Sequence, residues 1–78
     1  MANKLSNIST HTYREVLLKL GCKKIGINSG HENWTRQDLH RPITFQTHIE
    51  PIPERIIRQC FIPLGIDKKM FLKILNSL

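Results

Sequence analysis

Between residues 12 and 20 the apolar positions recur at helical spacing, with Tyr13, Val16, Leu17 and Leu20 at i, i+3, i+4 and i+7, which places them in one stripe. Thr12 followed by Glu15 has the form of a capping box, and Gly21 stands where a helix ends in a left-handed residue. From Cys22 the period falls to two: Lys23, Ile25 and Ile27 share one side, and Cys22, Lys24 and Gly26 the other. Asn28, Ser29 and Gly30 supply a turn signal. The pattern predicts a strand from Cys22, a tight turn, a return strand over 31–35, a polar loop over 36–41 and, after Pro42, a third strand over 43–47 with Ile43 and Phe45 on one face. The strands are expected to be antiparallel, since parallel pairing needs a crossover of about a dozen residues or more.

Residues 48–53 contain two prolines and no usable period, so they read as a connection. A second helix is expected from Pro53, with Glu54 facing the positive end of its dipole and Ile56, Ile57, Cys60, Phe61 and Leu64 as its stripe. Pro63 is expected to loosen its last turn before Gly65. Asp67 caps a third helix whose apolar members are Met70, Phe71, Ile74, Leu75 and Leu78. Residues 1–8 lack periodicity and read as a frayed, flexible terminus. The whole is one α+β domain of order α-β-β-β-α-α, a three-stranded antiparallel sheet packed against helices.

Composition narrows the function classes. A chain of 78 residues can bury only about 60% of its unfolded surface, and its 40% hydrophobic content is that of a folded globule. No run approaches the roughly 18–20 apolar residues that cross a bilayer, and the first residues have no apolar export core, so a cytoplasmic location without membrane association is expected. Cys22 and Cys60 lie in apolar periodic segments and read as buried hydrophobes. His11, His31, His40 and His48 are not spaced as zinc ligands, so no metal or cofactor is implied. Twelve basic residues against six acidic ones give a net charge of +6 and a pI near 9.8. Spread along the chain, that surplus suits a charged face for a polyanion, although solubility alone is a sufficient use for it.

Three segments carry a resemblance. Ser29-Gly30-His31-Glu32-Asn33-Trp34 stands at the first hairpin, Ile43-Thr44-Phe45-Gln46-Thr47-His48 at the third strand, and Ile57-Arg58-Gln59-Cys60-Phe61, Gly65 and Phe71-Leu72-Lys73-Ile74-Leu75 close the chain. In this order, from about Thr12 onward, they resemble the HicA family of toxin ribonucleases, the mRNA interferases of type II toxin-antitoxin systems. The resemblance implies a fold like the double-stranded RNA-binding domain and metal-independent cleavage of mRNA. It places His31 in the catalytic position, His48 as a second proton carrier or positioner, and Trp34 at the aromatic position. It also implies neutralisation by a HicB-like antitoxin, an acidic one covering the active face. Gly30 replaces a serine of the pattern, Ser29 a glycine and Gln46 a proline. Glu32 stands where a histidine or apolar residue is usual, and is expected to add negative charge beside the RNA path.

The residues themselves fit that chemistry. Imidazoles exchange protons near neutrality, as general acid or base catalysis on a phosphodiester requires, and RNA carries its own nucleophile in the 2′-hydroxyl. Beside His31, Gly30 has no side chain to obstruct an approaching backbone. Lys23, Lys24, Arg36, Arg41, Arg55 and Arg58 are candidate phosphate contacts, each equally readable as a solvated charge. Trp34 could stack on a base or pack in the core. Against the catalytic reading stand an exposed His31 without a role and a His48 that only hydrogen-bonds within its loop. Two further classes stay open: a catalytically silent RNA-binding module, favoured by Glu32, and a protein-interaction domain whose charge is incidental. Sequence also leaves a homodimer open.

Overall fold

Ser9 starts the first helix, three residues before the expected cap. The computed structural model describes residues 3–78, and in it α1 runs Thr10–Lys19 with the extended Ser9 accepting a hydrogen bond from the Thr12 N–H at 3.1 Å. A short hydroxyl at that position satisfies one of the free N–H groups that every helix start presents. Glu50, forty residues further along the chain, accepts from both the N–H and the hydroxyl of Thr10 at 2.7 Å. Its carboxylate sits at the positive end of α1 and is held below the usual carboxylate range by these bonds.

The expectation of a flexible terminus over 1–8 fails at Leu5 and Ile8; its first two residues lie outside the described ones. Leu5 and Ile8 are 1% and 3% exposed within the core, and the Ile8 carbonyl accepts from Ile52 N–H at 2.9 Å. A small domain short of apolar surface recruits two isolated side chains whose spacing carries no periodic signal.

The strands β1 (Lys23–Asn28), β2 (His31–Thr35) and β3 (Ile43–Gln46) form an antiparallel sheet in chain order. Asn28 pairs with His31 across a two-residue turn in which Ser29 and Gly30 both have positive φ, 54° and 79°, the backbone that matches the twist of a hairpin. His31 pairs with Gln46, Glu32 with Phe45, Asn33 with Thr44 and Trp34 with Ile43. Because side chains alternate, Glu32, Trp34, Ile43 and Phe45 are buried on the helix side, while His31, Thr44 and Gln46 stay exposed. In β1 the register slips between Lys24 and Gly26, and Ile25 and Ile27 remain exposed on this edge strand.

The second expected helix is two short ones, α2 (Glu54–Arg58) and α3 (Phe61–Leu64). Pro63 explains where the break falls. Within a helix its ring would meet the carbonyl four residues back, on Gln59, and the chain leaves helical continuity at Gln59 and Cys60. Gly65, at φ 67°, closes α3. Asp67 caps α4 (Lys68–Asn76) as expected, accepting from Met70 N–H at 2.8 Å. The core joins the layers through aromatic contacts. Tyr13 meets Phe45 edge-to-face at 5.0 Å between centroids, and Phe71 lies 6.2 Å from Tyr13 and 5.8 Å from Phe61.

Candidate functional site

The two faces of β2 have different tasks. On the helix side Glu32 is fully buried. The Arg14 Nε donates to both of its oxygens at 2.9 and 3.0 Å, and the second guanidinium nitrogen donates to Oε2 at 2.8 Å. The Trp34 indole donates to Oε1 at 3.0 Å, and Lys24 Nζ lies 3.8 Å away. Burial alone would raise this carboxyl, but the hydrogen bonds from Arg14 and Trp34 and the Arg14 and Lys24 charges outweigh it and hold the group below its ordinary range.

Three sequence expectations change here. Glu32 is not beside the path in front of His31, because a one-residue step along a strand crosses the sheet. Trp34 is 3% exposed and spends its N–H on Glu32, so it cannot stack on a base. Lys24 is drawn towards the buried carboxylate, which makes it that group's counter-charge before it is a phosphate contact.

His31 lies on the open side of β2. There it borders a groove of about 190 Å³ between β3 and the start of α2, together with Thr44, Gln46, Ile49, Ile52, Pro53, Ile56 and Arg55. The groove joins an imidazole, a guanidinium and an apolar floor. Arg55 reaches it from the first turn of α2, whose direction is fixed by Pro53 at the N-cap and by Ile57 buried beneath. His48 does not line this groove. A Cβ on Gly30 would stand 3.1 Å from His48 Cε1, so the space that glycine leaves is filled by the second imidazole, and Gly30 is not an open approach for RNA. Thr47 N–H donates to the Gly30 carbonyl at 3.0 Å, tying the end of β3 to the hairpin and setting His48 against it.

The remaining cations divide. Arg36 is a structural clamp: it grips Asp38 with two bonds at 2.6 and 2.8 Å and donates to the carbonyls of Leu20 at 2.9 Å and Leu64 at 3.3 Å. With those donors engaged it is corrected from phosphate contact to the tie between the ends of α1 and α3. Arg58 donates to Glu54 at 2.8 Å one helical turn away, an exposed pair worth roughly 0.3–0.5 kcal/mol. Lys23 is exposed on β1. Arg41 borders a second, larger cavity of about 520 Å³ with His40, Ile62 and Pro63. Both cysteines are buried, and burial pushes the Cys60 thiol up to about 11, so neither is a poised nucleophile. Among the described residues no helix is long and apolar enough to cross a membrane, and no group of three or more His, Cys, Asp or Glu side chains could hold a metal ion.

No family model, curated protein or solved structure matches this chain. Function is therefore argued from the site. Of the residues bordering this groove, the sequence pointed to His31 and Arg55 and not to their neighbours. Thr44 and Gln46 were legible from strand alternation, as the residues opposite Ile43 and Phe45. Ile49 and Ile52 come from a connection with no period, and only the packed chain brings them to His31.

Proposed function

We propose that this domain is a metal-independent endoribonuclease, a HicA-like toxin with a fold of the double-stranded RNA-binding type. The observation that carries the reading is the exposed His31 imidazole bordering a groove that also holds the Arg55 guanidinium. A proton carrier and a cation bordering one groove are what transesterification of RNA requires. His31 takes the proton of a 2′-hydroxyl, O2′ forms a bond to phosphorus, and the bond from phosphorus to O5′ breaks. The leaving O5′ takes a proton, from water or back from the protonated His31, giving a 2′,3′-cyclic phosphate and a 5′-hydroxyl end. Arg55 faces the charge gathering on the non-bridging oxygens. His48, seated on Gly30, acts as the positioner of the hairpin that carries His31. The target is mRNA, and a HicB-like antitoxin of acidic character covers the basic active face.

A second reading, an RNA-binding module without turnover, now rests on a different observation from the one sequence suggested. Glu32 no longer favours it, but the groove holds one imidazole and so no second proton carrier. Incubation of mixed RNA with wild type, His31→Ala and His48→Ala in the presence of EDTA separates the two. Cleavage by the wild type, loss in His31→Ala and a partial decrease in His48→Ala support the enzyme. Intact RNA throughout, with salt-sensitive binding retained, supports the module.

A further inference from the structure

The two cavities beside β3 adjoin. The smaller, at His31, and the larger, at Arg41, both have Thr44 and Ile56 in their walls, so together they flank the edge strand from Gln46 back to Arg41, with residues of α2 and α3 opposite. From Gln46 to Arg41 the chain advances at most about 17 Å at roughly 3.4 Å per residue, room for a few nucleotides in addition to the one at His31. Cations stand at both ends, Arg55 and Arg41. The one carboxylate in the walls, Asp38, is matched by the two-pronged Arg36. The outer lip is apolar, with Ile62 92% exposed beside Pro63.

We propose that this groove is the binding path of a single strand of RNA, with the wide Arg41–Ile62 end holding the nucleotides that adjoin the one placed at His31. The inference rests on the RNA reading above and specifies where and in what form the substrate lies. The charge calls for a polyanion. The apolar lip selects an unpaired one, because an A-form duplex presents phosphates and 2′-hydroxyls and keeps its base faces stacked, whereas a single strand can lay a base against Ile62 and Pro63.

The test measures binding of a short single-stranded RNA, its blunt duplex and a polyglutamate peptide to His31→Ala protein, which leaves substrate intact. Arg41→Glu, Ile62→Glu and, as a control on the far edge, Lys23→Ala are compared in that background. The expected result is single strand bound at least tenfold tighter than duplex. Arg41→Glu and Ile62→Glu should each weaken the single strand by five- to tenfold and Lys23→Ala by less than twofold, with thermal melts unchanged. Equal binding of duplex, or indifference to Arg41→Glu and Ile62→Glu, overturns the groove while leaving His31 as the ribonuclease residue. Binding of polyglutamate and of neither RNA overturns the groove and the RNA reading together.

Discussion

Replacement of Glu32 is the perturbation for which the structure gives the clearest magnitude. In Glu32→Ala the Trp34 N–H, buried with the indole, loses its acceptor, at a cost of about 1–3 kcal/mol. Arg14 loses its buried carboxylate partner, but its side chain is 32% exposed and water can rehydrate it. The total therefore falls near the lower end of the roughly 3–5 kcal/mol seen when buried pairs are broken, about 3 kcal/mol. A domain of this size has only about 4–12 kcal/mol in all, so the melting temperature should drop by about 12–24 °C. Glu32→Gln keeps an acceptor for Trp34 and should lose about 1–2 kcal/mol. The difference between wild type and Glu32→Gln depends on pH in a fixed direction. The carboxyl is lowered in the folded state, so its contribution is fully present above the unfolded value near 4.3 and fades as pH falls through the folded one. Thermal and urea unfolding at pH 7 and pH 3 measure both quantities. A loss below about 0.5 kcal/mol at pH 7, or a gap that widens in acid, would contradict this role of the Glu32 carboxylate. So would folded Glu32→Gln protein that melts like wild type and has lost RNA cleavage, since that places Glu32 in the chemistry.

Gly30→Ala should cost about 1–2 kcal/mol in urea unfolding, because φ is +79° and the new methyl meets the His48 ring; an unchanged midpoint would mean that the turn relaxes freely. Arg36→Ala should cost about 1.5–3 kcal/mol through its bonds to the Leu20 and Leu64 carbonyls, with no change in the salt dependence of RNA binding. A shallower salt slope at full stability would restore it as a phosphate contact. Cys60, buried and with its thiol raised to about 11, should react with a disulfide reagent at pH 8 only as fast as the domain unfolds; rapid labelling of folded protein would contradict that burial.

Periodic features were legible and packing-dependent ones were not. The helix stripes, the two-residue hairpin at Ser29 and Gly30 and the Asp67 cap each follow from neighbours a few residues apart. The start of α1 was misplaced because Ser9 and Thr12 are both competent caps, and Glu50, forty residues away in the chain, holds the N–H of Thr10. Placement of Leu5 and Ile8 in the core depends on Ile52 and on the size of the domain. At the site, the order Gly-His pointed to His31, but the sequence does not say which face of β2 looks outward. That face follows from Glu32 and Trp34 going inward together around Arg14, an arrangement in which a carboxylate behaves as a core residue. Charge was the least legible property: Arg36 and Arg55 look alike in the chain, yet one is consumed by backbone carbonyls and the other borders the groove.

The role proposed for His31 is to move the proton in a metal-independent transesterification. Mass spectrometry of the 3′ ends produced from a defined RNA oligonucleotide in EDTA tests it most directly. Wild type should leave 2′,3′-cyclic phosphate ends and folded His31→Ala protein none, whereas equal amounts from both proteins, or 3′-hydroxyl ends, would rule that role out.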